Sequence, residues 1–163
     1  MGVFFTTITW LGSLYLLLPL SVLFCFLLLW AGKSGHVILI ALDVSVTILS
    51  VHVAKLAFRR PRPSTTTELL VAMPSDWSFP SAHTAQVTAF FMSITLITFQ
   101  TLPPALANPV AVLSIFIVCA VGYSRIYLKL HYVSDVLAGM FLAAFIVSAV
   151  HLIIPSIPWG MNK

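Results

Sequence analysis

Charge is what this sequence has least of. Of its 163 residues only 7% are Asp, Glu, Lys or Arg, while 60% are hydrophobic and the mean hydropathy is +1.08. A water-soluble domain of this length needs far more polar surface to cover its core, so that class is excluded. Three tracts, Met1 to Gly32, Trp77 to Ser124 and Val136 to Asn162, hold no charged side chain. Each is long enough for at least one membrane-spanning helix of ~20 residues. Nothing remains for a separate soluble region, and a single domain over residues 1–163 is expected. Cysteine is equally scarce. Cys25 and Cys119 stand alone in apolar runs, with no CxxC or Cys/His spacing, which excludes a cysteine metal site and reads as buried packing. No basic region or small-residue cleavage site accompanies the first apolar run, so the N-terminus is expected to stay in the mature chain. Met1-Gly2 with Thr6 fits the loose myristoylation pattern, but a chain that already spans the bilayer gains little from an acyl group.

What is present is a series of apolar runs cut by helix breakers. Their lengths predict an all-α, polytopic transmembrane bundle with spans at Ser13 to Ala31, His36 to Phe58, His83 to Thr101, Pro109 to Tyr123 and Tyr132 to Ile154. Gly2 to Gly12 either extends the first span or lies along the interface. The turns AGKSG and TLPPALANP are short, so the helices they join are antiparallel neighbours. Pro103, Pro104 and Pro109 are read as unable to continue a helix. The longest polar stretch, Arg59 to His83, must lie outside the hydrocarbon. Counting spans puts that stretch and the junction between the last two spans at the same membrane face.

The charges concentrate at that face. Lys55, Arg59, Arg60, Arg62, Arg125 and Lys129 are six of the eight Lys and Arg residues. Basic residues at an interface often do no more than set topology or attract anionic headgroups. Histidines at the same level argue for more. A lone His near a helix end is usually structural. His131, however, is followed at i+4 by Asp135 on one helical face, where a carboxylate can accept from one ring N–H and leave the other nitrogen free. That arrangement orients a nucleophile or a base.

Three spaced segments, Lys55-xxxxxx-Arg62-Pro63, Pro80-Ser81-Ala82-His83 and Ser124-Arg125-xxxxx-His131-xxx-Asp135, resemble the signature of the type 2 phosphatidic acid phosphatase superfamily. The resemblance covers Lys55 to Asp135 by motif and the flanking spans by hydropathy. It implies that His131 attacks phosphorus, Asp135 holds the imidazole and His83 protonates the leaving group. Lys55, Arg62 and Arg125 would clamp the phosphoryl oxygens, with Ser81 and the Ala82 N–H as further donors. With three fixed cations around one phosphate, no metal or other cofactor is expected. Ala82 departs from the Gly more usual at that position. Integral members typically have six spans, so five to six are expected, with the active site at one face.

The same resemblance implies a membrane lipid phosphatase acting on phosphatidic acid, phosphatidylglycerophosphate, undecaprenyl pyrophosphate or the 1-phosphate of lipid A. Lipid phosphotransfer with the same residues is the nearest alternative. An anionic-lipid binder or transporter is the other, though it has no use for His131 and Asp135 at i+4. The expected partners are a lipid phosphate and the surrounding membrane lipids, and no nucleic acid. Bacterial relatives place the site on the periplasmic face of the inner membrane, against a naive positive-inside reading of the six cations. Lys33 and Lys163 fall at the opposite face.

Several residues add to the minimal signature. Arg59 and Arg60 are read as a grip on a second phosphate or headgroup, or as solvated flanking charge, with Ser124 as an accessory position. His52, one turn before Lys55, is read as an interfacial histidine. Asp43 sits within a span ~18 Å from Lys55, too far to share its phosphate, and at the depth of His151. A structural Asp43–His151 contact near the opposite face is expected. Gly139 and Ala143, at i and i+4, favour close helix packing beside Asp135.

Overall fold

In a computed structural model, which describes residues 2–64 and 70–154, the chain is a bundle of helices with no strand among the described residues. Glu68 and Lys163 lie outside the described residues. The helices are α1 (Gly2–Ile8), α2 (Leu14–Trp30), α3 (Ser34–Phe58), α4 (Ala82–Thr101), α5 (Pro104–Tyr127) and α6 (Val133–Ile153), with a 3-10 turn at Thr9–Gly12 between α1 and α2. Helices α3 to α6 are each long and apolar enough to cross a membrane. The pair Gly2–Gly12 and Leu14–Trp30, bent by 48°, makes a fifth span if counted as one.

Local chemistry explains the boundaries. Ser13 has extended backbone and its side chain accepts from the Tyr15 N–H, starting α2. Gly32 takes φ +71 in the turn to α3, a conformation a side chain would strain. Helix α3 stops at Arg59, which adopts a left-handed φ of +44 one residue before Arg60-Pro61. Helix α5 departs from expectation: it begins at Pro104 and carries Pro109 inside it. Pro104 occupies the first turn, where its missing N–H costs nothing. Pro109 frees only the carbonyl of Ala105, an exposed residue in the first turn of the helix. The segment Gly2–Gly12 neither extends α2 straight nor stands apart. It bends away from the α2 axis so that Gly12 sits where a Cβ would be 2.8 Å from Val121 and 2.9 Å from the His83 carbonyl.

Helix α4 is central, with every residue from Thr84 to Phe90 buried. Its Ala85 and Ala89 pack with Val51, Ala143 and Val147, while Val87, Phe90 and Ile97 meet Leu17, Ile40, Val44 and Val121. Gly139 lets α6 approach α4 closely, since a Cβ there would lie 2.7 Å from the Ser81 carbonyl and 3.3 Å from the Ala85 nitrogen. The outer surface is the reverse of a soluble protein's. Val112, Phe116, Phe141, Phe145 and Leu152 are exposed, as lipid-facing side chains must be.

At the depth expected, Asp43 Oδ2 accepts from Ser93 Oγ at 2.5 Å and lies 3.1 Å from His151 Nε2. Asp43 and Thr47 are fully buried. This polar group ties α3, α4 and α6 together far from the cationic end.

Candidate active site

Alternating helix directions bring the C-terminal ends of α3 and α5 beside the N-terminal ends of α4 and α6. A cavity of about 240 Å³ opens between them, walled by Lys55, Arg62, Asp76, His83, Arg125 and His131. Ala82, the first residue of α4, and His52 also line it. A neighbouring lobe of about 280 Å³ shares His83 and Arg125 and continues over Thr9, Trp10, Val71 and Leu130.

His131 stands at the centre, buried in the turn between α5 and α6. Its Nε2 lies 3.2 Å from Arg62 Nη1 and its Nδ1 lies 3.5 Å from Asp135 Oδ2. One ring nitrogen therefore faces the cations and the other faces the carboxylate. Burial lowers its pKa to about 4; the contact with Asp135 opposes that, and Arg125, Arg62 and Lys55 reinforce it. Lowering of this kind favours the neutral ring, and the tautomer with its proton on Nδ1, beside Asp135, leaves the lone pair on Nε2.

The three cations reach the cavity from three elements. Lys55 is buried at the end of α3, where its Nζ bonds the Trp77 carbonyl and pairs with Asp76 Oδ2 at 2.9 Å. Arg62 is splayed over several acceptors: Nε to the Asp76 carbonyl at 2.9 Å, Nη1 to the Leu130 carbonyl at 2.8 Å and Nη2 to Asp76 Oδ1 at 2.5 Å. Arg125, buried in the last turn of α5, donates from Nη1 to Thr9 Oγ1 at 2.8 Å, and its Nε has no acceptor among the described residues.

Asp76 was missed by sequence reasoning, because nothing in its local sequence separates it from a solvated loop acid. Burial alone would raise its pKa, but hydrogen bonds from Lys55 and Arg62 outweigh that and hold it at about 2. Ser78 was missed too. Fully buried, it donates to Asp135 Oδ2 at 2.5 Å, and its oxygen lies 3.4 Å from His131 Nδ1.

Not every expected residue faces the cavity. Arg60 is neither a headgroup grip nor a free flanking charge. Its Nη1 donates to Asp135 Oδ1 and Ser134 Oγ, both at 2.7 Å, and its guanidinium lies 4.1 Å over the Tyr132 ring. The turn Arg59 makes at the end of α3 sends Arg60 across to α6. Arg59 itself donates to the Leu56 carbonyl at 3.0 Å in the exposed C-cap. Ser124 bonds the Val121 carbonyl of its own helix at 2.6 Å and is not in the cavity wall. The Ser81 hydroxyl pairs with Thr84 Oγ1 at 2.9 Å, behind Ala82, rather than lining the cavity. The Ala82 N–H belongs to the first helical turn, whose amides have no intrahelical partner and favour anions. His52 bonds the Ile48 carbonyl at 2.8 Å. Among the described residues no three His, Cys, Asp or Glu are grouped so as to hold a metal ion.

Helices long and apolar enough to cross a bilayer gather cations and histidines at one end, an arrangement suited to a phosphoryl or other anionic group. The PAP2 superfamily model matches residues 35–159, and the chain belongs to that family. Two solved structures are similar. The first transmembrane PAP2 type phosphatidylglycerolphosphate phosphatase from Bacillus subtilis superposes with a TM-score of 0.87 at 29% identity, over 99% of this chain and 79% of that one. Aquifex aeolicus LpxE gives a TM-score of 0.67 at 27% identity, over 91% of this chain and 84% of that one. No match to the chain was found among curated protein sequences.

Proposed function

We propose that this integral membrane protein is a lipid phosphatase that hydrolyses a lipid phosphomonoester or pyrophosphate through a phosphohistidine at His131. The observation that carries the reading is the orientation of that ring, with Nε2 toward Arg62 and Nδ1 toward Asp135. In the first step Nε2 forms a bond to phosphorus, the phosphorus–oxygen bond to the leaving group breaks, and His83 delivers a proton to the departing oxygen. In the second, water attacks phosphorus, the bond to Nε2 breaks, and His83 takes a proton from the water. Lys55, Arg62 and Arg125 hold the phosphoryl oxygens, with the Ala82 N–H as a further donor and Ser81 reaching them once its hydroxyl turns from Thr84. Asp135 stabilises the positive charge that the ring carries while phosphorylated.

A lipid suits a site at the helix ends, level with headgroups, because the tail stays in the bilayer. Phosphatidylglycerophosphate is the first substrate to try, since the B. subtilis neighbour is a phosphatase for it. Phosphatidic acid, undecaprenyl pyrophosphate and lipid A 1-phosphate follow. The site is proposed to face the periplasm from the inner membrane, and alkaline phosphatase fused after Lys163 should then be inactive. Phosphate release is measured from the four lipids in detergent with EDTA, for wild type and His131→Ala. Release that persists in EDTA and falls at least about 10³-fold in the variant is the expected result. Unchanged release in His131→Ala, no release by wild type, or release abolished by EDTA would overturn the corresponding part of the proposal.

A further inference from the structure

Asp135 is completely buried, and both its oxygens are spoken for. Oδ1 accepts from Arg60, while Oδ2 sits at a corner of donors: Ser78 Oγ at 2.5 Å, the Tyr132 N–H at 2.9 Å and His131 Nδ1 at 3.5 Å. A buried carboxylate is costly without a counter-ion. His131 is neutral before it reacts, so it cannot supply one. Arg60 is the cation bonded directly to this carboxylate, and it is set apart from the phosphate clamp. Ser78 closes the gap on the other side. Its hydroxyl donates to Asp135 and its oxygen faces His131 Nδ1, so it bridges a His131–Asp135 distance that is long for a direct hydrogen bond. The two residues are themselves joined, because the Ser78 N–H donates to the Arg60 carbonyl at 2.9 Å. That bond closes the long polar loop at its base and delivers both side chains to one carboxylate.

We propose that Arg60 and Ser78 are positioning residues for the His131 reaction. Arg60 offsets the charge of Asp135 and fixes the carboxylate through the resting state, and Ser78 holds Oδ2 on the Nδ1 side of the ring so that Nε2 points at the clamp. Neither touches the phosphate. The inference rests on the phosphohistidine reading for its kinetic arm but not for its spectroscopic one.

Around His131 the charged and titratable groups are Lys55 on α3, Arg62 and Asp76 from the loop, His83 on α4, Arg125 on α5 and Asp135 on α6. Removing Arg60 leaves Asp135 more negative as seen by the ring, and removing the Ser78 hydroxyl frees Oδ2 for Nδ1. Both changes favour the imidazolium. The test uses full-length protein in detergent, histidine-labelled for NMR, with Arg60→Gln and Ser78→Ala, and with Arg60→Lys and Ser78→Thr as conservative partners. The His131 titration should move upward from about 4 toward the ordinary 6.5 in Arg60→Gln and Ser78→Ala, and return part of the way in the conservative pair. In turnover, kcat should fall about 10- to 100-fold with KM within about twofold of wild type, because the clamp is intact. A purely structural role would lower the folded fraction without moving the titration of the molecules that remain folded. An unmoved titration, or a raised KM with unchanged kcat, would overturn the proposal. If wild type shows no turnover, the proposed function fails while the titration still decides this inference. If Arg60→Gln does not fold, Ser78→Ala against Ser78→Thr decides it.

Discussion

Asp76 Oδ1 lies 2.5 Å from Arg62 Nη2, and the other oxygen of the same carboxylate lies 2.9 Å from Lys55 Nζ. A loop acid thus takes two of the three cations expected to hold a phosphoryl group. Substrate phosphate must compete with it. Asp76→Asn should therefore bind inorganic phosphate or vanadate more tightly. Asp76 is half exposed, and solvent screening limits the pairs to about 1 kcal/mol, or roughly a fivefold lower inhibition constant. Equal or weaker inhibition of the variant would show that the carboxylate helps the anion bind.

Arg62 serves the clamp through its fork as much as its charge, with Nε, Nη1 and Nη2 all engaged. Arg62→Lys keeps the charge and loses that geometry. The expected loss is about 100-fold in kcat/KM. Lipid phosphatase assays across substrate concentration check it, and a variant within threefold of wild type would reduce Arg62 to a point charge.

Acid should act on this protein through His131 and Asp76. The folded His131 titrates near 4 against 6.5 when unfolded, so the unfolded chain binds more protons between those values. Stability from this group is complete above 6.5 and is lost as the pH falls toward 4. Asp76, depressed from 3.8 to about 2, adds a loss that begins below its unfolded value. Histidine NMR should find a ring titrating near 4 that is missing in His131→Ala, and the detergent Tm should fall from pH 7 to pH 4.5.

The buried Asp43 group is expected to serve the fold and not the reaction. Asp43→Ala strips partners from Ser93 and His151, at a cost of ~1–3 kcal/mol. Its Tm should drop while the folded fraction keeps activity within about twofold. Wild-type thermal stability of Asp43→Ala would argue that the contact contributes nothing.

Gly139→Ala drives a methyl into the Ser81 carbonyl at the start of α4. Overpacking of this kind costs ~1–3 kcal/mol, and the shift it forces would be carried to Ala82 and His83. Lower Tm together with lower kcat is expected. Unaltered kcat would mean that α6 moves and the site does not.

Much of the site could be read from the order of residues. Lys55, Arg62, His83, Arg125, His131 and Asp135 converge as expected because their spacing along antiparallel spans places each at the same helix ends. The i+4 relation of His131 and Asp135 is carried by the turn that begins α6. What escaped reading were the roles of Arg60, Ser78 and Asp76, which the path of the long loop sets. Arg60 looked interchangeable with Arg59, yet a left-handed φ at Arg59 sends Arg60 to Asp135. Ser78 and Asp76 sit in a proline-containing stretch without periodicity, so no local pattern could point them at Asp135 or at the clamp. As a local signal Pro109 reads as a stop, because a missing N–H is local, whereas α5 tolerates it at its exposed first turns.

The sequence by itself determined that this is a membrane bundle whose charges collect at one face, because hydropathy and helix parity follow from residue order alone. Tertiary structure decided which charge meets which, and that Gly2–Gly12 packs onto His83 and Val121. Those outcomes depend on loop paths and on close approaches at Gly12 and Gly139, where distances of a few ångströms are set by several helices at once.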